Sequence, residues 1–310
     1  MSRKLRFDLD VDASALLAAN PEAFYSKAYL SSADITNNFR TVPGVKAKTK
    51  LATVLFGNIL KASNCSFNAD VDDLSAVEID VCALSAMAQI CQFDLEQSFV
   101  SLQMTKGSNG DFSVASFMDF YWGEMAKVIG QSIELIRWQG DTESLDETLA
   151  LCDGYEKKIC STPGVIGQYN GVITNSNVIA RMATMVEAAP ASIVRKKADL
   201  RLHVSTNVAN AYELAAASGN TLTYVTLPLG LTFLGIQVVV NEGMSDNTMV
   251  LTLKDNLIYS FDAEGDDKAL KAINLADTVA EPLIRTRANM KVGFYLVNPA
   301  EIVAYNVCFD

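Results

Sequence analysis

A chain of 310 residues, half of them hydrophobic and only 20% charged, is long enough for one large or two modest domains with a sizeable core. Its net charge of −11, with a pI near 4.7, opposes the phosphate backbone and excludes nucleic-acid binding as the main activity. A mean hydropathy of +0.17 is high for a chain with no evident membrane segment, and contacts between copies would cover part of that apolar surface.

The N-terminal stretch MSRKLRFDLDVDAS has no apolar core of the kind a secretory signal needs, so no secretory signal is expected there. Its basic cluster, Arg3, Lys4 and Arg6, runs directly into the acidic DLDVD of 8–12. Residues 1–39 read as an extended arm with short helical pieces, one opened by Pro21 over 21–30. Pro43-Gly44 then breaks the chain. Beyond it Lys46, Lys48 and Lys50 alternate with Val45, Ala47, Thr49 and Leu51, the pattern of an exposed strand kept from sticking by charge. A second alternation, AVEIDVCA over 76–83, sets Val77, Ile79 and Val81 against Glu78, Asp80 and Cys82. Residues 40–80 therefore read as a protruding two-stranded element with a polar turn near 61–75. Such a ribbon is barely stable alone in water and needs a surface to lie on.

A helix is expected over 84–103, followed by the loop TKGSNG at 105–110. Asp111 or Ser113 can cap the longest helix, which runs to about Trp138 with Val114, Phe117, Tyr121, Met125, Val128, Ser132 and Ile136 at spacings of three or four. Phe120, Trp122, Ile129, Ile133, Leu135 and Trp138 widen that stripe, so this helix of roughly 40 Å reads as a spine buried on more than one side. Gly140-Asp141 stops it. A shorter helix is expected over 143–160 with Leu145, Leu149, Cys152 and Ile159 inward, then a glycine-rich loop at 163–171. Helices fit 176–188 and 206–217, with a strand at 198–204 between them. The last third reads as strands at 221–227, 233–240, 248–260, 290–297 and 301–307, interrupted by a short helix near 267–275. The uncharged run 218–241 is long enough for a membrane span, but four threonines, Pro228 and Gly230 make it strand, turn, strand. The order is α+β with segregated elements, not a regular βαβ alternation.

Chemistry is sparse. His203 is the only histidine; it alternates with Leu202 and Val204, as an exposed or half-buried structural residue beside Arg201 would. A nucleophilic partner for it would have to be Cys152 or Cys160, brought close by the fold. The six cysteines form no CxxC and read as reduced, partly buried thiols. Glycines 164, 167 and 171 do not make a dinucleotide fingerprint, and no Walker phosphate loop is present. The acidic stretch NLIYSFDAEGDDKALK, 256–271, resembles a calcium loop only superficially: counted from Asp262, the glycine falls at position four and position twelve is Ile273, which has no side-chain oxygen. It reads instead as a turn at Gly265 with Asp266 or Asp267 capping a helix. No cofactor, metal or catalytic residue is expected.

Two stretches carry a resemblance: LGIQVVVNEGMSDNTMVLTLKDNLIYSFDAEGDD, 234–267, and IRTRANMKVGFYLVNPAEIVAYN, 284–306. With IELIRWQGD at 133–141 and LCDGYEKKI at 151–159, they resemble the major capsid proteins of tailed bacteriophages, the Hong Kong 97-type family. The resemblance implies an α+β capsid fold with an N-terminal arm at 1–39 and an extended β-hairpin loop at 40–80. It implies a peripheral domain at 81–160 holding the spine helix 111–138, and an axial domain at 161–310 with return strands to the peripheral domain. It implies hexamers and pentamers that close an icosahedral virion head around double-stranded DNA without gripping it specifically, assembled in the host cytoplasm. Portal, scaffold and decoration proteins are the further partners it implies, and no membrane. Arg40, Val45, Lys46, Lys48, Lys50, Val77 and Ile79 fall in the loop and become the candidate subunit-interface residues. Some relatives cross-link through a lysine of this loop, but no acceptor or catalytic carboxylate stands out here. Three alternatives remain open: a cytosolic α+β enzyme with a site near His203 and the 160–171 loop, an encapsulin-like shell, and another phage structural protein.

Overall fold

The computed structural model describes residues 28, 35–45, 48–56, 72–91, 114–168, 171–218, 231–262, 270–275, 281 and 283–307. The chain forms two compact units. The first comprises Met1–Ser32, Ala83–Ile133 and Ala263–Lys291; the second comprises Ala33–Cys82, Glu134–Asp262 and Val292–Asp310.

The second unit is built on a six-stranded sheet. In chain order its strands are β5 (Ile166–Gln168), β6 (Leu200–Ser205), β7 (Thr232–Phe233), β8 (Ile236–Asn241), β9 (Met249–Leu253) and β13 (Val303–Tyr305), in the spatial order β5-β13-β9-β6-β8-β7. β6 is central, parallel to β8 and antiparallel to β9. Helices α4 (Val178–Ala188), α5 (Ala191–Val194) and α6 (Thr206–Ser218) supply Met182, Met185, Ile193, Val208 and Tyr212 to a core with Leu200, Leu202, Val204, Ile236 and Leu251 of the sheet. The expected strand over 248–260 is two strands, because Lys254–Asn256 turns as a 3₁₀ helix. Asn256 fixes that turn: its Nδ2 donates to Thr252 Oγ1 at 2.9 Å and to the Asn298 carbonyl at 2.9 Å. The expected strand at 221–227 lies outside the described residues.

The same unit holds α1 (Ile35–Asn38), β1 (Arg40–Pro43), β10 (Leu257–Phe261) and the end of β12 (Leu283–Leu296), with β1 parallel to β10 and β10 antiparallel to residues 292–296 of β12. A separate ribbon pairs β2 (Thr49–Phe56) with β3 (Asp72–Ile79), from Thr49↔Ile79 to Phe56↔Asp72. The first unit holds the start of β12, flanked by β11 (Leu270–Asn274) and β4 (Cys82–Cys91), and most of α2 (Val114–Gln139).

The long helix α2 is where the sequence places it, but its buried face is Trp122, Ala126, Ile129, Ile133 and Ile136; Val128 is 58% exposed and does not belong to the inward stripe. Three other expectations fail for physical reasons. Residues 84–91 are strand β4 and residues 270–274 are strand β11. Both are rich in alanine and leucine, but each pairs along β12, and partnership overrides that weak helical preference. The helix that Asp266 or Asp267 would cap is therefore absent over 270–274. Residues 143–154 are turns and one 3₁₀ turn, with helix α3 only at Tyr155–Ser161. Here side chains bond the backbone and compete with helix: Asp141 Oδ1 accepts from Glu143 N at 2.8 Å, and Asp146 Oδ1 from Thr148 N at 2.8 Å. Leu145 consequently points into solvent.

The end of α2 is held by backbone contact that only glycine permits. Gly154 N donates to the Gly140 carbonyl at 2.8 Å, and a Cβ on Gly154 would stand 2.6 Å from both the Ile136 and Trp138 carbonyl oxygens. Gly154→Ala should therefore destabilise the chain by about 3 kcal/mol or leave it insoluble, as overpacking against rigid backbone does. Urea unfolding of the variant checks this, with the exposed Leu145→Ala expected to change stability by less than about 0.5 kcal/mol.

Candidate functional site

The ribbon of β2 and β3 is a two-stranded sheet separate from the second unit's larger sheets. Eight residues per strand span about 26 Å. Among the described residues, the two strands pair only with each other, so both outer edges offer unpaired backbone groups.

The base of the ribbon is fixed by four independent contacts. Ile79 and Val45 pack with Ile258 of β10, joined by Val42, Val81, Tyr295 and Val297. The Tyr295 hydroxyl accepts from the Asp80 backbone N–H and donates to the Asp80 carbonyl. Gly293 lets β12 approach: a Cβ there would lie 2.6 Å from the Asp80 carbonyl oxygen. Cys82 forms a disulfide with Cys152, with Cα atoms 5.8 Å apart, which corrects the expectation of reduced thiols; Cys91 is the free cysteine among the described residues. The Tyr295 hydroxyl is pushed up to about 12, mainly by burial. Lys158, whose ammonium lies 4.0 Å from the Tyr295 ring centre and donates to the Phe294 carbonyl, is pulled down to about 8 by burial.

The candidate interface residues separate on this scaffold. Arg40 is exposed on β1, and Lys48 is exposed with its Nζ 3.9 Å from Glu78 Oε2 and 3.8 Å from Asp80 Oδ2. Those ion pairs face water and contribute little to stability. Lys50 and Val77 stand in the ribbon at register positions Lys50↔Glu78 and Leu51↔Val77, while Lys46 lies outside the described residues. Val45 and Ile79 depart from the expectation. At 5% and 0% exposure their side chains belong to the chain's own core and have no surface left for a neighbour.

His203 also departs from it. It is fully buried rather than exposed or half-buried, because β6 is a central strand covered on both faces. Its ring lies 5.0 Å from that of Phe39 and 5.4 Å from that of Trp138, and Asn241 Nδ2 stands 3.2 Å from its Nδ1. Burial first, then the nearby Arg137 and Arg201 charges, lowers its pKa to about 3. Cys152, a partner considered for it, is committed to its disulfide. Beside the histidine, the buried Arg137 pairs with Glu134 at 3.0 Å and lies 4.8 Å above the Phe39 ring. The geometry makes a neutral packing histidine. No group of histidine, cysteine and acidic residues able to hold a metal occurs among the described residues, and no described helix is long and apolar enough to cross a membrane.

Sequence reasoning missed Tyr295, Gly293, Arg137 and the disulfide. The first two lie in the closing strands, but nothing local shows that they meet a turn more than 200 residues earlier.

No family model matches the chain, and no curated protein matches it. Solved structures do. The chain is similar to a protein of the satellite phage P4 procapsid that includes the size determination protein, at 10% identity over 89% of this chain and 95% of that one, with a TM-score of 0.58. It is similar to the capsid of an empty GTA particle at 16% identity over 90% of each chain, TM-score 0.55. It also matches the virus-like particle from Pyrococcus furiosus at 11% identity over 96% and 100% of the two chains, TM-score 0.54. The fold is that of the phage capsid proteins, the Hong Kong 97 type, over about nine-tenths of the chain.

The buried histidine has a measurable consequence. Below its unfolded value near 6.5, the unfolded chain takes up a proton that the folded chain refuses, so the histidine's contribution is present above pH 6.5 and is lost as pH falls toward 3. Between pH 7 and pH 5 the native chain should lose about 2 kcal/mol more stability than His203→Gln. Urea midpoints of both proteins at the two pH values check this.

Proposed function

We propose that the chain is the major capsid protein of a tailed double-stranded DNA bacteriophage, which self-assembles into the hexamers and pentamers of an icosahedral head. The observation that carries this reading is the capsid fold extending over about nine-tenths of the chain, with a rigidly rooted ribbon whose edges are open. Its role is structural and its mechanism geometric. The arm 1–39 and the loop 40–80 fasten neighbours, the region 81–160 with α2 forms a plate, and 161–310 forms the part nearest the capsomer axis. Arg40, Lys46, Lys48 and Lys50, with Val77, are the side chains of the loop left to make those contacts. The apolar, charge-poor composition supports extensive contact between copies. The net negative charge supports a lining that encloses DNA without gripping it. Portal, scaffold and decoration proteins complete the set of partners, the coat is assembled in the host cytoplasm, and no catalysis is required of any residue.

The test removes the ribbon while sparing its root. Replacing residues 49–77 by a short Gly-Ser turn keeps Val45, Ile79, Tyr295 and the Cys82–Cys152 disulfide. The shortened chain should give a circular dichroism spectrum and a cooperative melt of a folded protein, yet show no closed shells by negative-stain electron microscopy under conditions where the full chain forms them. Closed shells from the shortened chain would refute the ribbon's role. Shells of the full chain that enclose protein rather than DNA would reassign it to an encapsulin-like compartment.

A further inference from the structure

The disulfide between Cys82 and Cys152 stands at a junction of the fold. Cys82 follows Ile79, the last residue of β3, by three positions and opens β4. It is also the last residue of its segment of the second unit, before the chain enters the first unit at Ala83 and leaves it after Ile133. Cys152 lies beyond the end of α2, where its carbonyl oxygen packs so closely on Gly140 that a Cβ there would overlap it. The bond joins residues 70 positions apart, and the loop it closes contains α2 and the whole segment 83–133. A cross-link of that span restricts the unfolded chain strongly.

Neither cysteine needs the bond to hold its place. On one side, Tyr295 grips Asp80 by its N–H and its carbonyl, and Ile79 packs on Ile258. On the other, the Gly154 N–H donates to the Gly140 carbonyl, and the Thr142 N–H and hydroxyl donate to Asp153 Oδ1 at 2.9 and 2.8 Å. These contacts set the Cα atoms of the two cysteines 5.8 Å apart, within the range that a disulfide spans without backbone movement. A reduced pair therefore sits ready for closure. The two sulfurs differ in access, because Cys152 is buried and Cys82 is half-buried.

We propose that this pair is a redox lock on the root of the ribbon. While subunits fold and associate in a reducing cytoplasm the pair is a dithiol, and noncovalent contacts alone hold the root. When the particle meets an oxidising medium the pair closes and ties the root of the ribbon to the end of α2. The oxidant is a small-molecule disulfide of the glutathione class. The Cys82 thiolate, the more accessible, attacks it and expels one small thiolate; the Cys152 thiolate then attacks the Cys82 sulfur and expels the second. The two protons given up by the cysteines pass to the expelled thiolates, so the pair loses two electrons and two protons and the oxidant gains them.

The timing of the lock rests on the shell-subunit reading, but the lock itself is measured on the chain. The full chain is purified in reductant and then treated with excess oxidised glutathione. Peptide mass spectrometry should find both cysteines open to alkylation before oxidation and cross-linked to each other after it. Oxidation should raise the melting temperature by about 5 °C or more. Cys160 is also disulfide-bonded, so a second protein carrying Cys82→Ser with Cys152→Ser is treated in the same way, and the difference between the two rises measures the root bond. The reduced chain and the variant should both give the circular dichroism of a folded protein and both form shells, with the oxidised variant's shells breaking up at lower urea than oxidised wild-type shells. Absence of the Cys82–Cys152 cross-link after oxidation, or equal rises in melting temperature, overturns the proposal. So does a reduced chain that fails to fold or that forms shells only after oxidation, which would make the bond a requirement and not a lock. If the folded chain forms no shells in either redox state, the shell-subunit reading fails while the melting difference still decides the lock.

Discussion

One buried cation organises the second unit. Arg137, near the end of α2, is almost wholly removed from water, and an unpaired guanidinium there would be prohibitively costly. It is compensated by the Glu134 carboxylate at 3.0 Å and by the faces of Phe39 and Tyr259, whose ring centres lie 4.8 and 5.9 Å from the guanidinium carbon. Phe39 stacks on Tyr155 at 5.8 Å and lies 5.0 Å from His203; Tyr259 stacks on Phe294 at 5.8 Å. The residues around one charge thus come from the entry to β1, from α3, from β10 and β12, and from β6. Losing the charge or its partners would loosen all of these at once.

The root of the ribbon depends on the same assembly of elements. Tyr155 donates to the Ile258 carbonyl at 2.8 Å, and Ile258 packs against Val45 and Ile79. Lys158, on the same short helix as Tyr155, covers Tyr295, and Tyr295 holds Asp80. A rigid root matters for a separate two-stranded element, because such an element has little stability of its own and transmits force only as well as it is anchored. The reading as a shell subunit therefore joins an internal feature, the aromatic packing about Arg137, to an external one, the open edges of β2 and β3.

Much of this was legible in the sequence where the signal is local. Alternation pointed to the ribbon but misplaced its strands, which run over 49–56 and 72–79 rather than 45–51 and 76–83, with 82–83 already in β4; helical spacing located α2, α4 and α6, and Leu200, Leu202 and Val204 marked the central strand. The order of elements supported a resemblance that the fold bears out. What was not legible depends on partners distant in sequence. Residues 84–91 and 270–274 have helix-compatible compositions and become strands only because β12 runs beside them. The stretch 143–154 carries leucines at helical spacing, but its aspartates bond the backbone and hold it in turns. His203 looked accessible because one strand's alternation does not show that its sheet is covered on both faces. Val45 and Ile79 read as interface candidates because Ile258, the residue they pack against, is 213 and 179 positions away.

The most direct measurement is the mass distribution of the purified full chain, taken by charge-detection mass spectrometry at increasing protein concentration and, if needed, with a scaffold protein added. The account predicts discrete megadalton species at integral multiples of the chain mass, alongside pentamers and hexamers. A stable monomer or dimer under every condition would contradict it.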